Sequence, residues 1–597
     1  MPQSQSLQSQ SKLLINIYWH MHQPDYRDLI TGQYILPWTY LHAIKDYSDM
    51  AHHLEANVKA RVSFNFVPIL LDQLEDYVAQ FKTGEIKDPL LQMLAEPHLE
   101  LISAEYCQLI IESCFKSHHE KMLSPYAEYQ RLYQLYQVAS QASNDIHLQY
   151  FSAQYKADLL VWYHLAWMGE SIKRNNLLVQ SLIKKGSHFS VADRQALFAL
   201  IGEVITDLIP RYKKLQQKGQ IEISSTPHYH PILPLLLDFN STLDAMPNAS
   251  LPQAAQYSGG EARAISHVQQ ALASHAHRFG EKPVGMWPAE GSISKDALLL
   301  LAKQGVQWAA SGETVLTNSL HKSNPTKMLI SHHDYLYKPY KISDGNNEIV
   351  CFFRDDRLSD KIGFEYAKMH STDAVNDFIR DLELVRTSFQ KTENPVVSVI
   401  LDGENAWEYY PYNGYYFLSE LYQALANHPD IEMVTPSEVL QAINTPNQSQ
   451  YNVFCGNLPE IAAGSWVYGT FSTWIGSKDK NRGWDLLCDA KLAYDQVLQV
   501  GKLSAEELKR CEDQLAVCEG SDWFWWLGDY NAAASISSFD QLYRRNLSNL
   551  YSLLKLPVPT SLLVPISTDA AQQLSDNAGA DNAGTDNAGT MKRGKES

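Results

Sequence analysis

Four stretches of this chain share one design: a short apolar run that stops in a cluster of acidic, histidine and aromatic residues. In parallel α/β folds ligands gather at the C-terminal ends of strands, so a polar group there meets a ligand rather than an apolar core. Two of the four end in carboxylates. Val284–Trp287 runs through Pro288 and Ala289 into Glu290, with Gly291 and Ser292 behind it. Trp287 offers a flat face for a sugar ring, and Gly291 lets the backbone approach a ligand closely. Val396–Leu401 runs into Asp402, then Glu404, then Trp407, Tyr409 and Tyr410. Carboxylates on separate strand ends suit glycoside hydrolysis, in which one attacks or activates water and the other protonates the leaving oxygen. The residues alone leave retaining and inverting chemistry open.

The other two stretches carry histidines. Leu13–Trp19 leads into His20-Met21-His22-Gln23-Pro24. In an extended chain His20 and His22 face one side, where they could hold sugar hydroxyls or a metal. The metal alternative describes a metal-dependent hydrolase or deacetylase. It needs further ligands at matching strand ends, where the sequence offers acids but no second H-x-H, so the site is expected to be metal-free and to need no cofactor. Gly219-Gln220-Ile221-Glu222 runs into Thr226-Pro227-His228-Tyr229-His230-Pro231. Glu222 lies inside a β-like run, where an acid is costly unless it meets a partner or a ligand.

The elements that must position these residues follow from pattern. Seven runs rich in β-branched and aromatic residues read as buried strands: Leu13–Trp19, Arg61–Phe66, Ile221–Ser225, Val284–Trp287, Val306–Ala310, Ile349–Phe353 and Val396–Leu401. Helical segments alternate with them, which predicts a parallel sheet, open or closed into a barrel. A polar N-terminal tail (1–12) precedes a barrel over 13–445, with a helical insertion around 67–220. Ser504 to Glu507 reads as a capping box opening a helix, and a helical C-terminal domain is expected over 446–560. Residues 561–597 include three DNAG repeats and read as a disordered tail.

Composition narrows the function classes. A formal net charge of −18 excludes a nucleic-acid surface. The seven scattered cysteines contain no C-x-x-C pair, against both a disulfide framework and a thiolate zinc site. No stretch approaches the ~18 consecutive apolar residues of a membrane span, and 1–12 lacks a basic region followed by an apolar run. A cytoplasmic protein with no membrane partner is expected, its oligomeric state open.

Together the segments resemble glycoside hydrolase family 57, whose members act mostly on α-glucans. His22-Gln23-Pro24 looks like its first signature and Gly219–Glu222 its second. Trp287–Ser292 resembles the third, and Ile400–Glu404 the fourth. Gly464-Ser465-Trp466 through Trp474-Ile475-Gly476 holds the fifth, with Trp474 as its aromatic. The resemblance implies an incomplete (β/α)₇ TIM-like barrel followed by a helical domain. It implies a retaining enzyme acting on starch, glycogen or maltooligosaccharides, with Glu290 as nucleophile and Asp402 as acid/base. 4-α-Glucanotransferase or branching activity on the same site is the alternative. Substrate contacts are expected from His20, His22, Glu222, His230, Trp287, Trp407 and Trp474. One departure stands out: the family's first signature continues with an aromatic after the proline, whereas here Asp25 precedes Tyr26.

Overall fold

The computed structural model describes residues 11–140, 151–326, 331–390, 392–528 and 530–567. The DNAG repeats and most of the polar N-terminal tail lie outside these. The strands among the described residues are β1 (Leu13–Met21), β2 (Val62–Phe66), β3 (Ile221–Ser225), β4 (Trp308–Ser311), β5 (Tyr340–Ser343), β6 (Glu348–Phe353), β7 (Val396–Asp402), β8 (Ile431–Met433) and β9 (Gly456–Asn457). β1 is buried along its whole length. Its unbroken apolar run reflects neighbours on every side, as in the centre of a parallel sheet.

The first sheet has the order β3-β2-β1-β7, with β8 beside the start of β1. The second has the order β4-β6-β5-β9. Three parallel bridges join them: Ser225 to Met286, Gly285 to Trp308, and Arg354 to Ser398. The circuit β1-β2-β3, residues 284–287, β4, β6, β7 therefore closes on β1. It is an incomplete (β/α)₇ barrel, and six of its members are ladder strands.

Val284–Trp287 differs from the expectation. It joins through single bridges, because Pro288 and the turn behind it end its extended course at once. Gly285 is required at that join, since a Cβ there would lie 1.8 Å from the Trp308 ring. β5 was not foreseen; it pairs antiparallel with β6, outside the barrel circuit.

The described residues between β2 and β3 are mostly helical, ending in Val191–Gln217, whose Tyr212 packs edge-on against Phe64 and Phe66 of β2 at 4.9 and 4.7 Å. After β8 and the helix Pro436–Asn444, residues 445–477 form an irregular strap rather than helices. The strap pairs with β5 through β9 and crosses the barrel mouth. Helices Lys478–Val500, Ala505–Cys518, Asp522–Trp526 and Ala533–Leu553 follow, and Ser504 and Glu507 form the capping box. No helix among the described residues is long and apolar enough to cross a membrane.

Candidate active site

Strand register assembles the floor of the site. His20 on β1 stands opposite Asn65 of β2 and Asp402 of β7, all at the C-terminal ends. Asn65 Oδ1 lies 2.7 Å from His20 Nδ1, which fixes Nδ1 as the protonated nitrogen and turns Nε2 toward the cleft as an acceptor. Burial, then the neighbouring His22, lowers the His20 pKa to about 3, so its ring is neutral.

Glu290 occupies a 3₁₀ turn (Ala289–Gly291) with φ 57° and ψ 27°, a left-handed conformation that a residue with a Cβ rarely adopts. The strap holds it there. Ile293 and Gly464 exchange backbone hydrogen bonds of 2.8 and 3.0 Å, and Trp466 N–H donates to Glu290 O at 3.2 Å. Gly291, also at φ 57°, leaves room for the rings: a Cβ there would meet the Trp287 ring at 3.1 Å and Trp466 Cβ at 3.2 Å. The Trp466 indole then donates to Glu290 Oε2 at 3.1 Å. Arg354 at the end of β6 lies over that indole at 5.6 Å, and its guanidinium is held by Ile400 O, Asp356 and Asp360, each at 2.8 Å.

Asp402 accepts from Asn405 Nδ2 at 3.0 Å. Burial raises both acids. Glu290 is pushed up to about 8 by desolvation, then by the Asp402 charge, against the Trp466 hydrogen bond. Desolvation also raises Asp402, opposed by Asn405 and by the charges of His22 and Arg354. The Asp402 charge acts on Glu290, so the two acids do not titrate independently.

These groups line a cleft of about 1090 Å³ together with His20, His22, Glu404, Trp466 and Asp522. Glu404 is 3% exposed, and its Oε2 has no partner. His22 Nε2 meets Asp522 Oδ1 at 2.8 Å, so the helical region supplies an acid to the site. His22, His230 and Asp522 hold donor atoms within 4.8 Å of one another. The two imidazoles are stacked at 3.9 Å and 21°, however, which sets their in-plane lone pairs side by side rather than converging on one ion. Asn65 engages only Nδ1 of His20 and leaves Nε2 without a partner in the protein.

Of the residues expected to contact substrate, His20 and His22 reach the cleft and five do not. Glu222 lies near the start of β3, at the opposite end of the barrel. Its carboxylate accepts from Trp308 Nε1 (2.9 Å), Ser437 N (2.9 Å) and Ser437 Oγ (2.7 Å), bracing the first turn of the helix Pro436–Asn444, whose N-cap is Thr435. His230 is fully buried behind His22, held through Nδ1 by Ser521 Oγ at 2.7 Å. Trp287 is fully buried beneath Trp466, with ring centroids 5.1 Å apart. Trp407 donates to Gly403 O at 2.8 Å and packs on Trp19, supporting the Asp402 loop from below. Trp474 is fully buried, and the strap aromatic that reaches the carboxylates is Trp466. Asp25 forms a two-point ion pair with Arg27 at 2.8 and 2.9 Å and stays outside the cleft.

The sequence pattern of glycosyl hydrolase family 57 matches residues 16–451, and the chain belongs to that family. Among solved structures, it resembles a family 57 branching enzyme from Thermococcus kodakaraensis with a TM-score of 0.53 and 14% identity, over 92% of this chain and 93% of that one. A family 57 branching enzyme from Pyrococcus horikoshii gives 0.52 and 15%, over 94% and 99%. An α-amylase from Thermotoga maritima gives 0.50 and 15%, over 94% and 99%. A search of curated protein sequences gave no match. At these identities the likenesses speak to the fold.

Proposed function

We propose that this chain cleaves α-glucosidic bonds in α-glucans by double displacement, with Glu290 as nucleophile and Asp402 as acid/base. The observation that carries the reading is the pair itself: two desolvated carboxylates, coupled through their charges, on separate strand ends of one cleft. Family membership supports the substrate class.

The partners of the two acids suit the states that the reaction needs once Glu290 is ionised. An indole N–H only donates, so Trp466 stabilises Glu290 as the anion. The Asn405 amide can turn its carbonyl to accept, so it tolerates Asp402 in the protonated form. Glu290 then attacks the anomeric carbon as the C–O bond breaks, and Asp402 passes its proton to the leaving oxygen. In the second half Asp402 takes a proton from water, whose oxygen bonds to the anomeric carbon and releases Glu290. A sugar hydroxyl in place of that water gives transglycosylation from the same intermediate.

The test is incubation with starch, amylopectin and maltooligosaccharides, beside Glu290→Gln and Asp402→Asn variants and an EDTA control. Loss of product formation in both variants, indifferent to EDTA, supports the reading. Activity retained in the variants but stopped by EDTA overturns it. Products both longer and shorter than a single input oligosaccharide make the enzyme a transferase.

A further inference from the structure

Glu408 is a cleft residue with no part in the scheme above. It sits in the 3₁₀ turn Trp407–Tyr409, farther along the loop that carries Asp402. Its carboxyl meets the Tyr409 side chain, and its Oε1 is buried with no partner in the protein. The surrounding groups are already satisfied. Lys45 Nζ pairs with Asp46 Oδ1 at 2.8 Å, and His42 Nδ1 meets Asp46 Oδ2 at 2.6 Å. Lys45 also lies 5.5 Å over the Trp167 ring, and Trp38 leans on Trp167 with centroids 5.7 Å apart. Trp38, His42, Trp167 and Glu408 all line this arm of the cleft.

The chemistry of the arm points to its ligand. Indole faces pack against the C–H faces of a sugar ring, and a carboxylate oxygen without a partner accepts from ring hydroxyls. A buried acceptor left empty costs free energy that a bound hydroxyl recovers. The direction follows from Asp402: an acid that protonates the glycosidic oxygen stands on the leaving-group side of the bond. The arm built on its loop therefore lies beyond the scissile bond.

We infer that Glu408, with Trp38 and Trp167, forms an acceptor subsite that binds the glucose unit on the leaving-group side, holding it by hydroxyl hydrogen bonds to Oε1. The inference rests on the proposed double displacement, and it makes Glu408 a determinant of whether a sugar or water takes the glycosyl group.

The experiment uses α-maltosyl fluoride as donor, because fluoride leaves without filling that subsite, and maltose as acceptor. Fluoride release reports glycosylation, and the ratio of transfer to hydrolysis products reports acceptor binding. In Glu408→Gln that ratio at fixed maltose should fall at least fivefold, with Trp38→Ala acting in the same direction. A variant that merely folds poorly loses transfer and hydrolysis in proportion and leaves the ratio unchanged. An unchanged ratio in Glu408→Gln overturns the inference, as does a wild type that hydrolyses the fluoride yet transfers none at any maltose concentration. A wild type that releases no fluoride defeats the double displacement itself.

Discussion

Trp466 donates its indole N–H to Oε2 of Glu290 at 3.1 Å, so the strap across the barrel mouth reaches the carboxylate proposed to attack the sugar. This hydrogen bond opposes the burial and the Asp402 charge that raise Glu290. Trp466→Phe keeps an aromatic ring and removes the donor. The Glu290 pKa should then rise further, moving the acid limb of the kcat/KM profile to higher pH. A charge-assisted hydrogen bond contributes about 1.5–3 kcal/mol, so kcat/KM near neutrality should fall roughly 10- to 100-fold. A variant with an unmoved acid limb would deny Trp466 this role.

Glu290→Gln separates chemistry from stability. The folded-state pKa of about 8 lies above the ordinary glutamate value of 4.5, so the folded protein binds the extra proton between these values. Stability from this group is therefore fullest below pH ~4.5 and is lost as pH rises toward 8. The neutral amide removes that penalty. The variant should lose product formation yet unfold at a higher temperature than wild type at pH 8.5, by at most about 5 kcal/mol in stability, with the difference vanishing near pH 4.5. Thermal unfolding at the two pH values reads it directly. A variant less stable at both would mean that the charge is compensated elsewhere.

The sequence disclosed the barrel strands and the acids that end them, because apolar runs and abrupt polar stops are local signals. Which polar residues meet in space was less legible. Glu222 and Glu290 both accompany β-like runs, but Glu222 comes at the start of its strand and Glu290 after the end of its own. The register that sends one to each end of the barrel is a property of the closed sheet. Trp466 and Trp474 look alike in the sequence. Only the backbone pairing of Gly464 with Ile293 selects the first. Asp522 is farther still from its partner: it meets His22 through the docking of the C-terminal helices, which no local pattern encodes.

Glu222 tests the difference between a site residue and a structural one. Glu222→Ala would leave Trp308 Nε1, Ser437 N and Ser437 Oγ without their shared acceptor. Leaving buried donors unsatisfied costs about 1–3 kcal/mol each at most, while the Thr435–Glu438 capping box of the helix Pro436–Asn444 stays in place. The melting temperature should fall by several degrees, while kcat and KM of the folded fraction stay at wild-type values. A selective rise in KM at unchanged stability would return Glu222 to the substrate.

Glu519 should act as a pin between the C-terminal helices and the barrel-side helix Gly260–Phe279. Its carboxylate accepts from Arg263 Nε and Nη2 at 2.8 Å each, and it meets His267 Nε2 at 2.7 Å. It is fully buried, and the Arg263 charge followed by the His267 hydrogen bond outweighs that burial to hold its pKa far below the usual carboxylate range. A depressed folded-state pKa stabilises the protein above the unfolded value of 4.5, and that stability is lost as pH falls below it. Glu519→Gln leaves Arg263 buried beside a neutral amide, a loss of about 3–5 kcal/mol. The strap and Asp522 are anchored through the same helices, so activity should fall together with stability at neutral pH. Wild type and variant should converge in melting temperature as the pH is lowered through the acid range, because acid removes the pin from wild type as well. A destabilisation that stayed constant down to pH 3 would show that packing, rather than the carboxylate charge, holds the two regions together.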